Sequence, residues 1–420
     1  MSECDDQTDR ILSTAMEAGM IILKNGGETY RCEEIMCSVA NMLGARNVSA
    51  FVTPTVVMLT CEDDHGHTCT HFQRILNRTI NLSKISRLEN EVMRMVSSCK
   101  PHPLKMVESV FRRIDSSIIY PDWAIVLTIA LGSFCFSLLF GGSIVEAITA
   151  FVIGMIMRIV LFSTTPLELP GFLTSIIGGF IISMLSGLAA RFGIIPSISN
   201  VIISVLMTLV PGVILVNAIR DIIAGDLVAG TAKLLEAFVI AAALSIGAAF
   251  GLIPFASETS KIAPVKVWDS LVPAFLAAFF TTAAFAYFFY IPKYDIFLAS
   301  LLGAAGWIIF LILNVRMGYF MGGYFVGAFC IGVLSEIFGS MLKKPATIFI
   351  IPAIIPFVPG GGIYETMLYS LWGNMQQAGI TGFRTLTASG AIAAGIALAS
   401  AFAHTAKQIK KLKDKKTCLH

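Results

Sequence analysis

Charged side chains are scarce in this chain of 420 residues: Asp, Glu, Lys and Arg make up 14% of it, whereas hydrophobic residues make up 56%. The mean hydropathy of +0.79 implies more apolar surface than the core of a soluble protein could hold. A formal net charge of +3 is too small to indicate a nucleic-acid partner. The composition therefore predicts a polytopic membrane protein whose main surroundings are the lipid bilayer.

Two sequence signals are also missing. Residues 1–10 are acidic and polar, so the basic start and apolar run of a secretory signal are absent. The nine cysteines form no CxxC pair, and most lie in segments that we place in the cytosol, where thiols stay reduced. We expect no cofactor.

Polar residues concentrate in the first part of the chain, which predicts a cytosolic α+β N-terminal domain over residues 1–120. Helical periodicity, branched side chains and turn residues predict its elements. The predicted helices cover 10–23, 29–43, 74–96 and 104–118, and the predicted β segments cover 48–61 and 67–72.

The rest of the chain resolves into ten apolar segments of about 20 residues, the length that crosses a bilayer. Their predicted bounds are 123–140, 143–162, 171–189, 196–219, 231–251, 268–290, 294–315, 319–338, 346–371 and 384–404. Two repeats of five segments, 121–253 and 267–405, flank a loop at 254–266, and a basic tail follows at 406–420. An odd number of crossings per repeat inverts the second copy, so we predict inverted repeats.

A Pro-Gly pair interrupts the fourth and ninth segments, at Pro211-Gly212 and Pro359-Gly360. Further markers stand at matching distances upstream: Asp122 and Pro196 in the first half, Asp269 and Pro345 in the second. Proline removes a backbone donor and glycine permits non-helical geometry, which lipid tolerates only beside protein or water. Matched breaks predict a solute site; the alternative is that each proline merely kinks its helix.

A half-helix that begins at Gly212 or Gly360 directs free amides toward the membrane interior, where a carboxylate would bind. The predicted substrate-binding residues are Pro211, Gly212, Asn217, Arg220, Asp221, Pro359, Gly360, Gly361 and Tyr364. Arg220 and Asp221 form either a gate or a simple adjacent ion pair at the membrane edge.

Carboxyl groups within apolar segments are costly and should face the bundle interior or water. Such a group can exchange a proton near neutral pH, so we predict proton coupling at Glu336, Glu365 and Glu236. The alternative for Glu336 is an interfacial ion pair with Lys343 or Lys344.

One hairpin of the N-terminal domain carries weak candidates for metal binding: Cys61, His67, Cys69 and His71. Their spacing matches no standard zinc module, and a solvated hairpin edge would hold the same residue types. We expect no metal there.

Several motifs are similar to those of a known family. They are Gly26-Gly27-Glu28-Thr29-Tyr30-Arg31, Asn217-Ala218-Ile219-Arg220-Asp221, Gly225-Asp226-Leu227, and the block from Pro352 through Pro356-Phe357-Val358-Pro359-Gly360-Gly361. Across almost the whole chain these resemble the bacterial threonine/serine exporter family, with Cys32 and Phe357 as mild departures. The resemblance implies a cytosolic N-terminal domain, ten membrane helices and proton-driven export of threonine and serine. A split form of the family is implicated in succinate export.

We therefore expect a secondary transporter rather than an enzyme, located in the bacterial cytoplasmic membrane. The distribution of basic loops predicts that both termini are cytosolic. The substrate is open between an amino acid and a dicarboxylate, and a homo-oligomer is one option for the assembly. The alternatives from other classes are a membrane-anchored enzyme with a hydrolase-like N-terminal domain, and a passive channel.

Overall fold

A computed structural model describes residues 5–63, 65–75, 78–98, 102–255, 270–371 and 373–417. The chain is mainly helical, and a small sheet lies near its N-terminus. Asp269, which marks the predicted start of the second repeat, and the predicted loop from residue 256 onward lie outside the described residues.

The N-terminal part combines four helices with a three-stranded antiparallel sheet of order β1-β2-β3. Its elements are α1 (Asp6–Lys24), α2 (Thr29–Met42), β1 (Arg46–Thr53), β2 (Val56–Glu62), β3 (Thr68–Arg74), α3 (Leu82–Ser97) and α4 (Leu104–Asp115). α1 packs against the other three helices and the sheet, and its Leu12 and Ile22 are fully buried. We call residues 5–118 the N-terminal domain.

Two predicted boundaries of this domain differ from the observed ones. The β segment 48–61 divides into β1 and β2 because Pro54, which has no N–H to give to a ladder, lies in the tight turn between them. The helix expected from residue 74 begins only at Leu82, because Arg74 still pairs with β2. Asn81 caps that helix by accepting a hydrogen bond from the backbone N–H of Lys84 at 3.2 Å.

The remaining helices are long and apolar, apart from two pairs that are broken at the Pro-Gly positions. They are α5 (Asp122–Leu139), α6 (Ile144–Ser163), α7 (Gly171–Arg191), α8 (Ile198–Leu206), α9 (Gly212–Ala224), α10 (Leu227–Leu252), α11 (Leu271–Phe288), α12 (Lys293–Phe310), α13 (Phe320–Leu342), α14 (Thr347–Ile354), α15 (Gly360–Leu371) and α16 (Met375–Thr417). A short π-helical turn, Leu311–Arg316, extends α12.

Within the described residues, eight helices are long and apolar enough to cross a membrane, and α14 with α15 makes a ninth candidate bent by 46°. α8 and α9 are too short to cross singly, at 9 and 13 residues. α16 begins well before the expected residue 384 because Gly373, with φ +75°, reverses the chain and Asn374 caps the new helix.

Helix packing follows the same pattern in both halves. α5 packs on α6, α7 on α10, and α9 on α10 in the first half. α11 packs on α12, α13 on α16, and α15 on α16 in the second half. The two halves also exchange contacts, since α9 packs on α16 and α15 packs on α10.

Glycines permit the close approach of α7 and α10. A Cβ on Gly247 would collide with the backbone carbonyl of Ile176, whereas a Cβ on Gly390 of α16 would meet nothing within 4 Å. We predict that Gly247→Ala lowers stability by about 1–3 kcal/mol through overpacking. Gly390→Ala is the matched control and should be neutral or slightly stabilising. Thermal melting in detergent measures both, and equal melting temperatures would contradict the packing.

Candidate functional site

The two Pro-Gly breaks adopt the same local conformation. Each belongs to a Val-Pro-Gly tripeptide whose glycine N–H turns back to the valine carbonyl. Gly212 donates to Val210 at 2.9 Å, and Gly360 donates to Val358 at 2.7 Å. The following residues begin α9 and α15, so the next amides of each half-helix have no partner of their own within the helix.

These two tripeptides lie against each other in the interior of the helix bundle. A Cβ added to Gly212 would collide with Cγ1 of Val358. A Cβ added to Gly360 would lie 3.0 Å from Cγ1 of Val210 and 3.1 Å from Sδ of Met207. Only glycine permits this approach at both positions, so the two breaks form one shared crossing point.

A cavity of about 340 Å³ opens at the start of α15. We call it the Glu365 cavity. Its wall includes Gly361, Trp307 and Tyr324, together with the half-buried Glu365 and the exposed Arg384. No ion pair joins Glu365 to Arg384 among the described residues, so the two opposite charges line the cavity separately.

Trp307 adds a polar group to this wall. Its side chain is 3% exposed, and its Nε1–H has no hydrogen-bond partner among the described residues. A buried donor without a partner is costly unless a bound solute or water accepts from it. The lining of the cavity therefore combines an acidic residue, a basic residue, Trp307 and glycines from the first turn of α15.

Part of this wall was not predicted from the sequence. Arg384 is not among the predicted site residues, because the last helix was expected to start at that residue, whereas it begins at Met375. Trp307 and Tyr324 sit in runs of apolar residues and carry no polar motif that marks them. Tyr364, a predicted substrate residue, is buried but is not part of the cavity wall; its carbonyl oxygen lies 3.5 Å from the Ser245 hydroxyl.

The predicted residues of the first break lie beside the N-terminal domain. Asn217 borders a void of only about 10 Å³, together with Thr347, Ile351 and residues of the N-terminal domain such as Glu28 and Glu89. That volume holds about one water molecule. In contrast to the Glu365 cavity, the void beside Asn217 is closed, whereas Pro211 and Gly212 border a separate apolar pocket of about 170 Å³.

Arg220 and Asp221 do not form the adjacent ion pair that was one interpretation of the sequence. Arg220 instead donates to the Glu28 carboxylate of the N-terminal domain, and both side chains are buried. Asp221 accepts from the ammonium group of Lys233 at 2.6 Å. The two charges face different partners because neighbouring residues on a helix point in different directions.

Further contacts fasten the N-terminal domain to the membrane helices. The hydroxyl of Thr29 donates to the Asp226 carboxylate at 2.7 Å, and Arg78 pairs with Glu236 at 2.7 Å. Glu236, a predicted proton-coupling residue, is thus a partly exposed member of this interface. Glu336 is half-buried on α13, and Lys344, one of its suggested partners, pairs with Asp295 at 2.7 Å.

Two carboxyl groups of the N-terminal domain have opposite pKa shifts. Burial alone would raise the pKa of Glu28, but Arg220 and Arg31 outweigh it, so the pKa lies below its usual range. For Glu89, burial dominates and raises the pKa to about 7, with Arg31 offsetting part of the effect and Glu28 adding to it. Glu89 therefore changes its charge near neutral pH beside a permanently charged pair.

The metal-binding candidates do not converge. Among the described residues, no group of three or more His, Cys, Asp or Glu side chains could hold a metal ion. His67 lies 3.1 Å from the Asp63 carboxylate, and His71 lies 2.6 Å from that of Asp9. Cys61 is buried as a free thiol. Cys69 is disulfide-bonded, which departs from the expected reduced state.

Another cavity, of about 1060 Å³, lies between α5 and α11. Its wall is apolar, with exposed Trp123, Leu131 and Phe280, and holds no charged side chain. It offers nothing to recognise a carboxylate and suits acyl chains. The charged positions around the crossing point are therefore the candidate site.

Comparison with known proteins agrees with this architecture. The profile of the family described as "Putative threonine/serine exporter" matches residues 13–253, and that of "Threonine/Serine exporter, ThrE" matches residues 274–402. The chain belongs to the threonine/serine exporter family. With its apolar helices, this makes it a multi-pass membrane protein of an exporter family.

Three relatives of this exporter-family chain also carry the names of transporters. "Probable succinate transporter subunit YjjP" of Klebsiella aerogenes is 26% identical over 57% of this chain and 90% of its own length. The protein of the same name from Escherichia coli is 24% identical over 59% of this chain and 95% of its own length. "Threonine/serine exporter" of Corynebacterium glutamicum is 24% identical over 76% of this chain and 66% of its own length. No solved structure matches the chain significantly.

The contact between the breaks predicts a compensating pair of substitutions. Gly212→Ala should reduce transport at least threefold while the exporter still reaches the membrane, because its Cβ collides with Val358. Val358→Ala removes the colliding methyl, so the double variant should recover most of the flux. Additive losses in the double variant would show that the two breaks are not coupled.

The raised pKa of Glu89 predicts a pH-dependent stability effect. Since the folded pKa of about 7 exceeds the ordinary value of 4.5, the stabilising contribution of the protonated carboxyl is present below pH 4.5 and is lost as the pH rises through 7. Glu89→Gln imitates the protonated form. It should raise the melting temperature by several degrees relative to the unaltered chain at pH 8, and by much less at pH 5.5. An equal effect at both pH values would contradict the shift.

Proposed function

We propose that this exporter moves small metabolites with a carboxylate group out of the cell, L-threonine and L-serine first, in exchange for protons. The observation that supports this most directly is the Glu365 cavity, where an acidic and a basic side chain flank one space without pairing with each other. A zwitterionic amino acid carries the two complementary charges. The volume of about 340 Å³ is at the small end of ligand sites, which suits a small metabolite.

In this binding mode the substrate carboxylate meets Arg384 and the first amides of α15, where the helix dipole also favours a negative charge. The substrate ammonium pairs with the Glu365 carboxylate. The N–H of Trp307 can donate to the carboxylate or to a side-chain hydroxyl oxygen. Each charged group of the substrate thus exchanges water for a charged partner.

A dicarboxylate is the second candidate, supported by the names of the two YjjP relatives. Its second carboxylate would face Glu365, which repels it unless that side chain is protonated. Glu365 therefore favours an amino acid over succinate. The names of the family and relatives are those of transporters, so we infer no enzymatic activity for the N-terminal domain.

We further infer ten crossings in two inverted five-helix repeats, with the fourth and ninth broken. The sequence offset that relates the two Pro-Gly breaks also relates the turn that follows each broken helix. In the first half Gly225 ends α9 and Asp226 caps α10, and in the second half Gly373 ends α15 and Asn374 caps α16. In each half, a buried acidic residue of the second membrane helix also contacts the segment that precedes the broken helix. Those contacts are Glu146 accepting from the Ser197 N–H at 3.1 Å, and Asp295 pairing with Lys344 at 2.7 Å.

In this arrangement the N-terminal domain is cytosolic, both termini lie inside, and the protein resides in the bacterial inner membrane. Glu365, Glu336 and Glu236 remain the proposed proton-coupling residues. Glu365 has the strongest structural support, because it lines the cavity where substrate and proton would compete for one carboxylate. The subunit status in the relatives' names supports an oligomer.

Transport in vesicles tests the proposal. Labelled threonine, serine and succinate are offered to the reconstituted chain under an imposed pH gradient. Arg384→Gln should raise KM for all substrates at least tenfold, since each loses its carboxylate partner. Glu365→Gln should impair threonine and serine by a similar factor, spare succinate, and weaken the dependence on the pH gradient.

The exposed charges Glu168 and Arg191 supply matched controls, because neither lies near the cavity. Glu168→Gln and Arg191→Gln should leave KM unchanged. If none of the three substrates moves in the unaltered chain, the exporter proposal is wrong. If Glu365→Gln leaves threonine transport and its pH dependence intact, the assigned binding mode is wrong.

A further inference from the structure

The two sides of the crossing point include residues at equivalent positions of the two halves of the chain. At the offset that relates the two Pro-Gly breaks, Ile203 and Glu365 of the Glu365 cavity correspond to Ile351 and Asn217. Those two residues border the void of about 10 Å³ beside the N-terminal domain. The position of Glu365 in an open cavity is therefore matched on the other side by Asn217 beside a closed void, while the first break itself borders an apolar pocket of about 170 Å³.

The N-terminal domain closes the space beside Asn217. The turn between α1 and α2 needs glycine twice, since Gly26 has φ +87° and a Cβ on Gly27 would collide with Ile22. This turn delivers the Glu28 carboxylate to Arg220. Ile80 of the same domain also covers an apolar pocket of about 170 Å³ at the start of α9.

We propose that Glu28 is a built-in carboxylate ligand, which occupies a second binding site for the substrate carboxylate formed by Arg220 and Asn217. The proposal rests on the function proposed above and adds a site on the N-terminal-domain side. A substrate arriving from that side displaces Glu28, and the N-terminal domain separates from Arg220 as it binds.

The contacts of Glu28 distinguish this role from that of an ordinary structural ion pair. Glu28 is 6% exposed, and Arg220 and the Tyr30 side chain hydrogen-bond to its carboxylate, yet its Oε2 atom has no hydrogen bond of good geometry among the described residues. A buried carboxylate that only stabilised the fold would be expected to have both oxygens satisfied. Arg220 is 9% exposed, so when Glu28 leaves, a buried guanidinium requires another anion.

Thermal melting of the purified full chain tests this without any transport assay. Glu28→Ala leaves an empty carboxylate position beside Arg220. Sodium acetate, and more strongly L-threonine, should raise the melting temperature of this variant by a few degrees in a saturable manner. The unaltered chain should respond at least threefold less to acetate, because its own carboxylate competes. Sodium chloride at equal ionic strength controls for screening.

Arg78→Ala is the matched control, since it breaks the other ion pair between the domains, to Glu236, without freeing Arg220. It should respond to acetate no more than the unaltered chain does. Glu28→Gln keeps the shape of the side chain and serves where Glu28→Ala is too unstable. In vesicles this variant should lower the half-saturating threonine concentration on the N-terminal-domain side at least threefold.

Absence of acetate stabilisation in folded Glu28→Ala, or an unchanged or higher half-saturating concentration in Glu28→Gln, would overturn the proposal. Acetate stabilisation of Glu28→Ala in a chain that transports none of the three substrates would support the anion site and refute only the proposed export function. The two proposals therefore fail in different experiments.

Discussion

The contact between the two Val-Pro-Gly tripeptides is the constraint on which the rest of the membrane region depends. Each proline frees backbone groups that lipid cannot satisfy, so both breaks have to lie in protein, and here each lies against the other. Gly212 and Gly360 permit this approach because they have no Cβ. Beyond the two breaks, α9 packs on α16 and α15 packs on α10, so each half of the chain contacts the other around the site.

Charge then distinguishes the two sides of this crossing point. On one side Glu365 and Arg384 line an open cavity without pairing. On the other side Arg220 is already paired with Glu28, and a void for about one water remains. On the open side Arg384 is exposed and Glu365 is half-buried, so both charges can be solvated without pairing, whereas the buried Arg220 requires the Glu28 carboxylate.

Much of the fold could be read from local patterns. The apolar segments, the break positions and the N-terminal helices and strands follow from periodicity, from proline and glycine, and from turn residues, which act over a few neighbours. The start of α3 was misplaced because β pairing with β2 kept Arg74 extended. The predicted start of α16 at residue 384 is wrong because Gly373 ends one helix and Asn374 caps the next well before that residue.

The sequence by itself determined the class of protein, the two repeats of the proline-glycine pattern and the family, because composition and short motifs carry that information. Tertiary structure alone decided which charges meet. Arg220 pairs with Glu28 rather than with Asp221, and Arg384 lines the same cavity as Glu365 without pairing with it. Such pairs are distant in sequence, and their distances depend on how the helices cross, which no local pattern encodes.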